Sequence, residues 1–346
     1  MTEPSLIANG TRQSETMGAL GLNLKKSIDM RATVSRDFVN GFEVLVLENS
    51  RVRASIIPSL GGRVWDLFDR ARERQWIWHR EDVPLAVASP GASYDDVWAG
   101  GWEELFPNDA SAEFEGRALP DHGEWWTTQW SVAEMSSGAE AVVRLVADTH
   151  VRKTACVKEF RLRAESSTIT VSYRIENLEP EPFHFLFKQH LPIAITSSCR
   201  LVVPGGRVMS VNPAFGTLLP DPGPFYWPLA EGKDGSYDLR VIPPRSSKER
   251  EFVYVSELVG GWCGIDDASR GASLRIRYEL KTLPYLWLFL AYGGWRNCYT
   301  AVLEPCTNMP KDLLEATRAG QSARLEVGGA FETSVSVTLA DLRRAY

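Results

Sequence analysis

The stretch "SSTITVSYRI" (Ser166–Ile175) decides the fold. It sets Ile169, Val171, Tyr173 and Ile175 against Thr168, Thr170, Ser172 and Arg174. Successive side chains of a strand point to opposite faces, so a period of two marks a strand with one face in a core. The same period returns in "ASLRIRYEL" (Ala272–Leu280). There Leu274, Ile276, Tyr278 and Leu280 oppose Arg275, Arg277 and Glu279. "FETSVSVTL" (Phe331–Leu339) repeats it with Phe331, Thr333, Val335, Val337 and Leu339. "FEVLVLENSRVRASIIP" (Phe42–Pro58) reads as a hairpin turning at Glu48, Asn49 and Ser50. Helical periodicity is confined to "KDLLEATRA" (Lys311–Ala319) and "LADLRRAY" (Leu339–Tyr346). Many strands, Gly/Pro turns and few short helices predict an all-β fold, a large antiparallel β-sandwich.

Composition narrows the function classes. The chain has 346 residues and a net charge of −6, without a basic block, which argues against a nucleic-acid partner. No apolar run is long enough to span a bilayer, and the N-terminus lacks the pattern of a secretory signal. Five scattered cysteines form no C-x-x-C pair and fit a reducing, cytoplasmic setting. No composition shift divides residues 33–346, which read as one sandwich domain; residues 1–32 read as an arm or added edge element. A homodimer is compatible with this reading. "PAFGTLLPDPGPFYWP" (Pro213–Pro228) reads as a long irregular loop, of the kind that borders functional sites. Twelve tryptophans, Trp98 and Trp102 among them, fill a core or offer flat rings to sugar C–H bonds.

The chemistry has few candidates. There is no G-x-S-x-G elbow, no Walker or dinucleotide loop, and no H-x-H or H-E-x-x-H pair, so neither metal nor cofactor is expected. "TAVLEPCTNMP" (Thr300–Pro310) puts the Glu304 carboxylate at the end of an apolar strand, with Pro305 expected to end its pairing. A buried carboxylate is costly or takes up a proton, and a raised pKa suits a base working near neutrality. "DHGEWW" (Asp121–Trp126) suggests a tight turn presenting His122. In "FHFLFKQHLPIAI" (Phe183–Ile195), strand alternation puts His184, Leu186, Lys188 and His190 on one face. His79 is ambiguous and His150 looks structural. Glu304 is thus the base candidate on pattern, with His190 and His122 as acid candidates.

The order "IIPSLGGRVWDLFD", "GGWEELFPN", "DHGEWW", "KQHLPIAI" and "LEPCTNMP" resembles the aldose 1-epimerase (galactose mutarotase) family from about Phe42 to Leu339. The tail "RAGQSARLEVGGAFETSVSV" resembles the family's last segment. The resemblance implies a β-sandwich with a sugar site on a concave sheet. It implies Glu304 as general base, His190 as protonated general acid and His122 as the residue that binds and polarises the sugar. No cofactor or metal is implied, and the partner is a small monosaccharide. Leu191 follows His190 where the family often has a Pro-aromatic pair. The cations of phosphosugar members are replaced by Ala99 and Glu124-Trp125-Trp126, so a non-phosphorylated sugar is expected. Glu103, Glu104 and Asn108 suit hydroxyls or an amine; Arg63 and Lys188 could meet a uronate or sulfonate. Two other readings stay open: a non-catalytic sugar-binding protein on the same fold, and a glycosidase or lyase pairing Glu103 or Glu104 with Glu304.

Overall fold

The computed structural model describes residues 31–89, 91–219, 223–232 and 235–344. The N-terminal arm therefore lies outside the described residues, apart from its last two. Ala32 is buried and bridges to Gly138.

Two large antiparallel sheets form the molecule. The first has eight strands in the order Cys199–Val202, Trp262–Asp267, Ala272–Tyr278, Ala330–Asp341, Thr168–Asn177, Thr154–Arg163, Glu140–Thr149 and Ser131–Ser136. The alternating strand Thr168–Asn177 is internal to it. Its Ile169, Val171 and Ile175 are fully buried, each stabilising by about 1.5–3 kcal/mol. Its outer face carries a hydroxyl ladder, with Thr168 facing Thr338 at 2.8 Å and Thr170 facing Ser336 at 3.0 Å.

The second sheet has seven strands in the order Phe225–Tyr226, Arg207–Ser210, Glu249–Ser256, Tyr285–Tyr292, Tyr299–Cys306, Lys188–Ala194 and Glu103–Leu105. Its inner face supplies Val253, Val255, Leu286, Leu288, Leu290, Leu303, Leu191 and Ile193 to the core that it shares with the first sheet. A five-stranded meander from Thr33 to Gln75 adds Leu45, Leu47, Ala54 and Ile56 to the same core. The expected hairpin is its Phe42–Glu48 and Val52–Ile57 pair, and Asn49 closes the turn by accepting from the amides of Arg51 and Val52. Among the described residues no helix is long and apolar enough to cross a membrane.

Three local expectations change. Among the described residues the C-terminal helix does not form: the strand continues to Asp341, and one 3-10 turn, Leu342–Arg344, follows. Leu339 pairs with Leu274 and is almost fully buried, so sheet pairing overrides helical propensity. Arg275, expected on a polar face, is buried and holds Asp266 at 2.7 Å. Pro305 does not end its strand either; it stays paired opposite Leu286. The other expected helix does form as Leu313–Arg318, with Asp312 capping it through the Glu315 amide.

Candidate active site

The site is one face of the seven-stranded sheet. Register sets side chains in rows across neighbouring strands. His190 lies opposite Glu103, Trp287 opposite Glu304, and Tyr254 opposite Trp287. Strands Lys188–Ala194 and Tyr299–Cys306 pair from Leu191↔Leu303 to Ala194↔Thr300, and again at Lys188↔Cys306. The skipped positions bring His190 opposite Glu304. Pro305 has no N–H to give there, so the ladder is interrupted where the two functional side chains meet. Alternation sends Leu303 into the core, while Val302, Glu304 and Cys306 share the opposite face.

A cavity of about 200 Å³ opens on this face. Glu304, His190, Lys188, His122, Asp109, Asp95, Tyr94, Asn212 and Lys311 supply its polar lining. Trp98, Trp295, Phe289, Phe252 and Phe215 supply its aromatic walls. Phe215 comes from the long proline-rich loop and packs against Phe289. Flat rings beside convergent polar groups suit a ligand with apolar C–H faces and hydroxyl edges.

The buried charges are held in pairs. The Lys188 ammonium lies 2.5 Å from an Asp109 oxygen and 2.7 Å from Glu304 Oε2. It also sits 4.2 Å from the centre of the Trp287 ring. The other Glu304 oxygen, Oε1, faces Nε2 of His190 at 3.7 Å. Burial pushes the Glu304 carboxyl up, with the Lys188 ammonium opposing. Burial and then the Lys188 charge push His190 well below the usual imidazole value. That direction favours the neutral imidazole, against the charge the resemblance implies for His190. Burial works against the Lys188 charge, yet Asp109 and Glu304 outweigh it and hold the ammonium firmly protonated.

His122 is presented as the sequence suggested. It adopts a left-handed backbone at φ 61°, and Gly123 follows at φ 70°. A Cβ at Gly123 would meet the Phe106 carbonyl oxygen at 2.2 Å, so only glycine fits. Asp121 steadies the turn: one oxygen accepts from His122 Nδ1 at 2.8 Å, and the other accepts from the Tyr94 amide at 2.9 Å. The His122 ring stacks on Tyr94 with centroids 4.0 Å apart. Burial disfavours its charge, but Asp109 and Asp121 prevail and raise its pKa.

The remaining residues named from sequence lie elsewhere. Arg63 is buried behind the site, where its guanidinium holds Glu103 and donates to the Gly100 carbonyl at 2.9 Å. Glu104 points to the opposite face, into the core, where it binds Lys158 and accepts from Tyr173 at 2.5 Å. Trp102 is also in the core and donates to Gln189 at 2.8 Å. The Asn108 amide donates to the carbonyls of Ala110 and Pro120, which braces the loop leading to His122. Among the other histidines, His79 stacks on Trp65, and His184 bonds Ser322 at 2.7 Å. Sequence reasoning missed Asp109 and Tyr94. Asp109 directly follows the quoted "GGWEELFPN", an available signal; Tyr94 stands in a stretch with no pattern. Among the described residues no group of three or more His, Cys, Asp or Glu could hold a metal ion.

No protein-family model matches the chain. Solved structures do resemble it. A galactose mutarotase-like protein from Clostridium acetobutylicum has a TM-score of 0.65 at 12% identity, covering 90% of this chain and 99% of the other. A galactose mutarotase related enzyme from Lactobacillus acidophilus has a TM-score of 0.60 at 12% identity, covering 86% and 97%. A protein from Synechocystis sp. PCC 6803 has a TM-score of 0.66 at 16% identity, covering 89% and 98%. At such identities the likeness defines the fold: an all-β sandwich of the galactose mutarotase-like kind.

Proposed function

We propose that this protein is an aldose 1-epimerase that interconverts the α and β anomers of an uncharged monosaccharide. The observation that carries this reading is the facing pair of His190 Nε2 and Glu304 Oε1, 3.7 Å apart in an aromatic-walled cavity. The neighbouring proteins' names point the same way.

Anomer exchange needs one proton on a donor–acceptor pair. The acceptor takes the proton of the anomeric hydroxyl while the donor protonates the ring oxygen. The C1–O5 bond breaks, the aldehyde turns about C1–C2, and the ring closes on its other face with the roles exchanged. The charges of the cavity supply that one proton. Asp109 and Glu304 share a single ammonium, Lys188. One proton on the Glu304–His190 pair leaves this buried cluster neutral, which a low-dielectric site favours. His122, with its ring held by Asp121, is the proposed hydroxyl-binding group.

The buried charges favour an uncharged sugar. Arg63 and Lys188 are both committed to carboxylates, so neither is free to receive a uronate, sulfonate or phosphate. Asp95, half-buried in the lining, would repel one, while the exposed Lys311 is the lining cation that would attract it. A glycosidase is less well supported. Glu103 is engaged by Arg63 and Tyr94, and Glu104 faces the core.

Polarimetry or saturation-transfer NMR on freshly dissolved sugars tests the reading. Neutral hexoses or pentoses should equilibrate faster with the protein, and uronates or sugar phosphates should not. Binding without acceleration, or full activity in Glu304→Gln, would overturn it in favour of a non-catalytic sugar-binding protein.

A further inference from the structure

We infer that Tyr94, backed by Glu103 and Arg63, is a positioning residue that holds a hydrogen on His190 Nδ1 and turns Nε2 toward the cavity as the nitrogen that exchanges protons. The inference rests on the proposed epimerase reading for its consequence, but its geometry stands alone. Tyr94, Glu103, Arg63 and His190 are all buried. The Tyr94 hydroxyl donates to Oε1 of Glu103, and the other Glu103 oxygen meets the Arg63 guanidinium. Burial pushes the Glu103 carboxyl up and the Arg63 charge opposes it; as the carboxylate of that ion pair Glu103 only accepts, and a guanidinium only donates. The direction of the chain is therefore set from Arg63 outward. Tyr94 has one proton, and it is committed to Glu103. The same hydroxyl oxygen lies 3.2 Å from His190 Nδ1. That contact can then be a hydrogen bond only if Nδ1 carries the hydrogen and Tyr94 accepts it.

The consequence falls at the reacting end of the ring. With Nδ1 held protonated, Nε2 is the nitrogen that gains and loses the proton. Nε2 faces Glu304 Oε1 at 3.7 Å, so the ring is aimed to exchange its proton with a sugar bound between the two groups.

Tyr94 has a second task that separates the two contributions. Its ring carries the stacked His122 and meets the His190 ring edge-on at 5.6 Å, whereas only its hydroxyl reaches Nδ1. Tyr94→Phe keeps the stacking surface and removes the hydroxyl.

The test is nitrogen-detected NMR of histidine-labelled protein, read above the pH at which His190 titrates, with its signals identified by their loss in His190→Asn. The expected wild-type pattern is a ring whose hydrogen sits on Nδ1. In Tyr94→Phe the preference for Nδ1 should be lost. In the same variant kcat should fall by about tenfold or more, part of the usual range for acid–base groups, with KM within about twofold. A neutral wild-type ring with its hydrogen on Nε2 overturns the inference, as does an unchanged tautomer in Tyr94→Phe. The wild-type spectrum decides even if the variant does not fold. Absence of sugar turnover would count against the epimerase reading alone, because the tautomer is read without substrate.

Discussion

Two buried lysine–carboxylate clusters lie on opposite faces of the same region of sheet, and they differ in what they leave open. On the core side, Lys158 is bound by Glu104 and donates to the Gly61 carbonyl at 2.8 Å. Tyr173 takes the second Glu104 oxygen. Every charged group there has a partner. On the cavity side, Lys188 serves two carboxylates, Asp109 and Glu304. One Glu304 oxygen is left facing His190 across a gap. The electrostatics diverge accordingly. Burial lowers the Lys158 pKa despite its single carboxylate, whereas two carboxylates raise that of Lys188 against burial. A closed pair contributes to structure; an ammonium shared by two carboxylates leaves one proton to be placed, and this is where chemistry can occur.

The largest expected effect comes from opening the comparison at Glu304. Glu304→Gln should reduce anomer exchange by on the order of 10²–10⁴-fold, since it removes one proton-transfer partner. Its unfolding free energy should change by less than about 1 kcal/mol, because Lys188 keeps Asp109. Breaking the core-side cluster should do the reverse. Lys158→Met strands the Glu104 charge and should cost about 3–5 kcal/mol in denaturant titration. Adding Glu104→Gln should recover most of that loss. If Glu304→Gln unfolds the protein and Lys158→Met does not, the contrast between the clusters is lost.

A smaller effect should follow from Lys188→Met. The ammonium lowers the pKa of both Glu304 and His190. Without it both rise, so the acid limb of the kcat/KM profile should move to higher pH. An unmoved profile would remove Lys188 from the chemistry.

The smallest effect concerns stability at His122. Its folded pKa is raised above the unfolded value, so its contribution is fully present below about pH 6.5 and is lost as pH rises through the folded value. Thermal unfolding of His122→Gln should lack that part of the decline. An unchanged dependence of Tm on pH would argue against a charged His122.

Much of this was legible before folding. Period-two alternation in Thr168–Asn177 and Ala330–Asp341 matches the buried and outward faces of those strands. Glu304 stood out as a carboxylate on an apolar strand. Other features were not legible, for identifiable reasons. Glu103 and Glu104 are adjacent, and in a strand as short as Glu103–Leu105 nothing in the pattern says which faces the cavity. Lys188 and Asp109 are 79 residues apart, and nothing local marks them as partners. Arg275 lay on the polar side of its own strand, yet it is buried against Asp266.

By itself, then, the sequence determined the all-β architecture and the presence of candidate acid and base groups, because side-chain alternation and residue type are local properties. Only the tertiary structure decided which charges neutralise each other. Arg63 and Lys188 are paired rather than free, and Tyr94 stands behind His190. The physical reason is that ionisation and hydrogen-bond direction depend on burial and on neighbours brought together by strand register, which the linear order of residues does not specify.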